Sequence, residues 1–491
     1  MADKPQDCLF PGPCLPVSVQ PLEGFRGYKA ALALGVLGGG SAALFVCAHW
    51  AIAVIGAVAV LALSAVESEP FMLLIILLLP LNWIIRADFP VRDLMLVVRI
   101  VVVAGFFLGR MWRGSLRVSR LFDPSLTRAS IFFAAVAVVS VILPSGGWTH
   151  ESERELLRLA SYLGFYFLIL LSVDSAERMR DVGFLLLVSA IVISVFAALQ
   201  EISGGFTSLW LYFNPPDDYF IPWRNRAPSF FAYSNTLAGY LNLLLPFALA
   251  CTALGQGKWK KAGAWAVGLG CVGLLCTQSL GGLVSFCGVL VLAIFCFVRG
   301  GWKRLLLLAS IWVLAFGFYI ARESLNPAHT GSTLVYDASA RVLMWNAAWE
   351  VFKQSPILGV GWGNFVGKYA SDPTLSWISP QLLYANNLYL DLLAGVGVVG
   401  FISFSVLAFL AIRQAHHAFQ SASCFLGKAF GFGALGAVVA ALIHGFVDDV
   451  IVTSPQAGTL WWMMLALLVA SASLETNSST VGRASLSPVG A

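Results

Sequence analysis

Runs of about twenty apolar residues follow one another along almost the whole chain, separated by short polar turns. This feature restricts the fold more than any motif does. A helix needs about 20 apolar residues to cross about 30 Å of hydrocarbon, whereas a barrel strand needs about ten that alternate in polarity. Inside a bilayer the backbone must satisfy its own hydrogen bonds, and long runs without alternation do so as helices. Composition agrees. The 491 residues are 59% hydrophobic and 11% charged, against about 45–50% and about 25% in soluble domains. The expectation is all-α: a polytopic transmembrane bundle of about 12–14 spans, with a long helical loop between late spans and no separate soluble domain.

Fourteen candidate runs centre on 30–48, 50–66, 70–86, 94–111, 129–146, 156–173, 182–201, 229–254, 262–278, 280–298, 304–321, 382–412, 428–446 and 457–474. The second and third are short, and 280–298 follows 262–278 almost without a loop. Lys and Arg set the orientation, since they collect in cytoplasmic loops. With the N-terminus inside, the inner segments hold 19 of the 30 and the outer ones 10, while Arg99 lies within a span. Both termini are therefore expected in the cytoplasm. The chain divides into a cytoplasmic tail (1–28), an N-terminal bundle (29–202), a core (203–474) with an outer loop at 322–381, and a disordered tail (475–491). Residues 1–27 are polar and Pro-rich, so no cleavable signal peptide is expected. Of the nine cysteines, most fall in apolar runs, where Cys acts as a small hydrophobe. Cys8 and Cys14 lack a second ligand pair. Neither a metal site nor a cofactor is expected, and the scattered basic residues do not suggest nucleic acid.

Four polar constellations interrupt the apolar pattern, all on the outer side of this topology. The first runs from Trp223 to Thr236 and carries Arg224, Arg226, Ser234 and Asn235 into the start of a span. An arginine fork pairs well with phosphate or carboxylate, although arginines so placed also snorkel to lipid headgroups. The second lies in the long outer loop. Val342, Trp345, Trp349 and Phe352 recur every three or four residues, as on an amphipathic helix at the membrane interface. Pro356 and Gly359 end it, and a Gly-x-Gly-x-Gly run leads to Asn364 and Phe365. No strand precedes that run and no Lys-bearing helix follows, so it is not a nucleotide loop. Its glycines allow a tight turn or a close backbone approach. The third places Asn386 and Asn387 at the mouth of a span with Asp391 one turn deeper, an intramembrane carboxylate. The fourth, His444 to Asp448 and Asp449, ends the penultimate span and offers an imidazole beside carboxylates. It also reads as a capped, solvated helix end. There is neither a Gly-x-Ser-x-Gly elbow nor a His-Glu-x-x-His motif.

In this order the segments resemble the O-antigen ligase and polymerase superfamily, over about residues 225–465. The resemblance rests on Arg226 to Asn235, on Arg341, Trp345, Pro356, Gly359, Gly361, Asn364 and Phe365, and on Asn386 to Gly400. It implies transfer of a glycan from a polyprenyl-diphosphate-linked donor to a glycan or glycolipid acceptor hydroxyl, without a metal, at the periplasmic face of the bacterial inner membrane. That is the chemistry of surface polysaccharides such as lipopolysaccharide. Arg226 and Arg341, with Arg224 beside them, take the diphosphate-binding positions. Asn235, Trp345 and Asn364 are further substrate-binding candidates, and Asn386, Asn387, Asp391, His444 and Asp448 are the catalytic candidates. The sequence departs from the family pattern in three places. Asn386 stands where the family carries His, Ser279-Leu280 replaces a Ser-Arg pair, and Gly395 falls where an acidic residue is usual. Two other readings are a transporter or transport-associated protein, as for relatives linked to inorganic carbon uptake, and a silent glycolipid binder.

Overall fold

The computed structural model describes residues 50–80, 94–115, 124–143, 147–203, 226–231, 233–325, 331–371 and 384–484. Sixteen helices make up the described chain: α1 (Trp50–Val66), α2 (Glu69–Leu78), α3 (Leu94–Trp112), α4 (Ser125–Ile142), α5 (His150–Ser172), α6 (Ala176–Ser203), α7 (Ser234–Leu254), α8 (Gly257–Thr277), α9 (Leu280–Phe297), α10 (Gly301–Leu325), α11 (Gly331–Gln354), α12 (Phe365–Ser371), α13 (Leu388–Ser421), α14 (Phe425–His444), α15 (Val450–Thr453) and α16 (Pro455–Ala484). No strand occurs among the described residues. Eight helices (α4 to α7, α9, α13, α14 and α16) are long and apolar enough to cross a membrane. The run at 30–48 lies outside the described residues, and the helix expected over 70–86 stops at Leu78.

The centre of the bundle is formed by α7, α14 and α16, whose apolar windows are buried to 78%, 78% and 83%. Glycine and alanine let α14 in so closely: along Gly431-Phe432-Gly433-Ala434-Leu435-Gly436 its small residues meet Phe247, Pro246 and Met464. Without a hydrophobic force between helices in lipid, such close packing is a main source of helix association. The peripheral α10 shows the opposite. Trp302, Leu305, Trp312, Val313 and Phe316 are all exposed, as suits a lipid-facing helix. One charge is sunk in the core. Arg99 on α3 donates to the Pro455 carbonyl at 3.2 Å and to the Thr459 hydroxyl, and lies 5.6 Å from the centre of the Tyr162 ring. An unpaired buried charge would cost on the order of several kcal/mol, and these contacts tie α3 to the start of α16.

The α13 helix is broken at Gly397, whose φ is +65°. Helix-interior backbone groups freed there need partners, and residues 356–361 supply them. Val360 N and Gly361 N donate to the Ala394 and Gly395 carbonyls, each at 2.9 Å, while Val398 N and Val399 N donate to the carbonyls of Pro356 (2.9 Å) and Ile357 (3.2 Å). Glycine is required by the approach. A Cβ on Gly397 would sit 2.3 Å from the Ile357 oxygen, and one on Gly359 2.4 Å from Gly395. The Gly-x-Gly-x-Gly run is thus a seam between two backbones.

The outer-loop helix forms, but it buries a face other than the aromatic stripe. Met344, Ala347, Ala348 and Val351 are fully buried, whereas Val342 and Trp349 are about half exposed. The small residues admit the neighbouring segments, and the bulky stripe is left toward the surface.

Candidate active site

The turn 445–449 after α14 gathers most of the polar residues singled out in the sequence. Its backbone is fixed by Val447 N and Asp448 N, both bonded to the His444 carbonyl at 2.9 Å. From α13, Leu388 N donates to the Gly445 carbonyl at 2.8 Å. Asn387 caps α13, its Oδ1 accepting from Tyr389 N and Leu390 N at 3.1 Å, while its Nδ2 donates to the Phe446 carbonyl at 3.0 Å. The amide therefore holds two elements together. Asn386 has φ +50°, a left-handed conformation that Asn tolerates better than most residues, and it turns the chain into that cap.

Arg226 reaches the turn from the other side. Its segment is pinned by Ala227 N on the Cys276 carbonyl at 3.0 Å and by Gln200, whose side chain bonds both the N–H and the C=O of Ser229 (2.8 and 3.2 Å). The guanidinium donates through Nε to the Thr277 carbonyl at 2.8 Å and through Nη2 to Asn235 Oδ1 at 2.7 Å. Asn235 Nδ2 in turn donates to Asp448 Oδ2 at 2.9 Å. On the same turn Arg341, from α11, donates to the Val447 carbonyl. Both arginines thus converge on the strip that carries Asp448. Beneath it His444 is buried, within electrostatic reach of Asp448 and Arg341, and neither ring nitrogen meets a partner among the described residues. Its ring rests against Gly281, where a Cβ would lie 3.3 Å from Cδ2.

Three candidates fall elsewhere. Asn364 is a fastener: its Nδ2 donates to the Gly147 and Val360 carbonyls (3.0 and 3.1 Å), and its Oδ1 accepts from Thr149, the cap of α5. Trp345 lies on α11 one helical turn beyond Arg341, its buried indole N–H without a hydrogen-bond partner among the described residues. Arg224 lies outside the described residues.

The second aspartate of the turn belongs to the fourth sequence constellation but was not named among the catalytic candidates. Asp449 is buried beside Asp391, and both line a cavity of about 50 Å³ together with Glu155, Tyr384, Trp362 and Phe365. Burial, then the charges of Asp391 and Asp448, push the Asp449 carboxyl well above the usual carboxylate range. Burial likewise raises the Tyr384 hydroxyl. Glu155 is paired with Arg158 at 2.7 Å. A doublet Asp-Asp after a helix reads as a solvated end, and only the intramembrane position of Asp391 hinted that a carboxylate was needed here.

The fold and this end of the bundle define a multi-pass helical membrane protein with a cationic, carboxylate-bearing site. Residues 265–405 match the family model for O-Antigen ligase, which supports membership of that superfamily. The match takes in Arg341, the glycine seam, Asn386, Asn387 and Asp391; Arg226, Asn235 and the 445–449 turn lie beyond it. The family is, in general, one of ligase- and polymerase-type membrane glycosyltransferases that act on lipid-linked glycans. No curated protein matches the chain.

Proposed function

We propose that the 445–449 turn is the centre at which a glycan passes from a polyprenyl-diphosphate-linked donor to an acceptor hydroxyl, at the periplasmic face of the bacterial inner membrane. The observation that carries this reading is the convergence of Arg226, Arg341 and Asp448 on one turn. Each guanidinium has five N–H donors, and a departing diphosphate gains most from cations already placed where its charge develops. Asp448 is half-buried, oriented by Asn235, and able to meet a hydroxyl. The acceptor oxygen forms a bond to the anomeric carbon, the bond from that carbon to the diphosphate oxygen breaks, and the hydroxyl proton goes to Asp448. This assignment supplies a base although Asn386 cannot be one. The half-exposed aromatic stripe of α11 suits contact with lipid beside the site.

In membrane vesicles given a lipid-linked oligosaccharide and its acceptor, Arg226→Ala and Arg341→Ala should each lower transfer about a hundredfold or more while leaving the protein inserted. Normal product in both variants would overturn the reading. Solute flux in proteoliposomes lacking any lipid-linked donor would favour transport instead. The facing is tested separately with single cysteines at exposed positions: a membrane-impermeant maleimide should label Glu151→Cys and not Lys260→Cys from the periplasm.

A further inference from the structure

Asp391 and Asp449 are buried beside the centre described above and line a small cavity that Asp448 does not. Neither oxygen of Asp449, nor Oδ2 of Asp391, meets a donor from the described residues, although all three are buried. The remaining oxygen, Asp391 Oδ1, accepts from Ala385 N at 3.1 Å. The two carboxyls are nevertheless near enough to hydrogen-bond one another. Two ionised carboxylates have only acceptors to offer, so such a bond exists only when one of them carries a proton. Like charges this close, out of water, do not both ionise.

The groups around the pair do not relieve this. Glu155 adds a further carboxylate on the α5 side and is held by Arg158, with Arg154 at 3.4 Å beyond it. Tyr384 lies under the influence of the same three groups and of Asp449. Asp448 adds negative charge from the turn itself. No cation among the described residues is aimed at the pair, and the cavity beside it, about 50 Å³, has room for only a few water molecules.

We propose that Asp391 and Asp449 form a buried proton-binding site, sharing one proton that clamps the 445–449 turn onto the first turn of α13. The clamp is a positioning device. It holds the strip whose other face presents Asp448 and the Val447 carbonyl, so loss of the proton would drive the turn away from α13 and spoil that face. The consequence for transfer rests on the function proposed above; the proton site itself does not.

The test therefore has a part independent of activity. Difference infrared spectroscopy of the full-length protein in detergent or nanodiscs should show a protonated-carboxyl C=O band at neutral pH that shifts in D₂O. The band should vanish in both Asp391→Asn and Asp449→Asn, because an amide can donate to the remaining ionised carboxylate. A missing band in the wild type, a band that persists in either variant, or a band abolished by sodium at constant pH would overturn the proposal, the last by making the site one for a metal cation. In the transfer assay, Asp449→Asn should move the upper pH limit of activity upward, whereas Asp449→Ala, which has no donor, should not. An unmoved limit in Asp449→Asn would sink the positioning role. Absence of transfer in the wild type with the band present would instead overturn the function and leave the proton site standing.

Discussion

Asp448 and Asp449 are neighbours in sequence and meet opposite surroundings. The first is half-buried, oriented by Asn235 and joined through it to Arg226. The second is buried beside another carboxyl at a small cavity, with no cation aimed at it among the described residues. One short turn thus separates a carboxylate linked to a cation from one whose charge is resisted. The difference teaches that a charge doublet at a helix end is two positions, and that what each one faces decides its chemistry.

The largest expected effect lies on the Asp448 side. Asp448→Ala should lower transfer by about 10²–10⁴, the span typical of a positioned acid or base, whereas Asp449→Asn should lower it far less. Equal losses measured in the same vesicles would erase the distinction. Next comes Gly397→Ala. A side chain forced to φ +65° against the Ile357 oxygen should cost on the order of 1–3 kcal/mol, read as a lower melting temperature in detergent. A neutral result would mean that the break in α13 does not anchor the helix start bearing Asp391. Smaller again is Asn387→Ala, which removes a cap contributing about 1 kcal/mol together with the bond to Phe446; Asn387→Asp should keep the cap and lose only that bond.

The smallest effect is the pH dependence of stability. Because the folded-state pKa of Asp449 lies above its ordinary 3.8, the native protein binds more protons than the unfolded chain. Its stabilisation is full below 3.8 and is lost as pH rises through the raised folded value. The wild-type melting temperature should therefore fall, relative to that of Asp449→Asn, as pH increases over that window. A constant difference would indicate that the two aspartates are equally solvated.

Much of the bundle was legible in the sequence because span length and helix-ending residues are local signals. The expected runs at 129–146 and 428–446 lie within a few residues of α4 and α14. The outer-loop helix was legible as well, but not its buried face, since aromatic spacing cannot tell a core stripe from one left toward lipid. The break at Gly397 was hidden because Leu392 to Ile402 carries no polar side chain, and only the arrival of residues 356–361 makes the kink favourable. Arg226, Asn235 and Asp448 could each be suspected from their positions before or after a span. That they form one chain of contacts depends on segments more than 200 residues apart. The role of Asp449 was hidden for the same reason: its partner is Asp391, on another helix.

The seam between residues 356–361 and 394–399 has a further consequence. All four of its bonds join main chain to main chain, so they are indifferent to which side chains flank them. Ile357, Val398 and Val399, which are exposed, can be exchanged for residues of other character without unfastening it, whereas Gly359, Gly361 and Gly397, all at positive φ, cannot gain even a methyl group without strain. The joint is written in shape rather than chemical type. A substitution scan across it should therefore show these three glycines as sharply intolerant positions beside tolerant exposed neighbours.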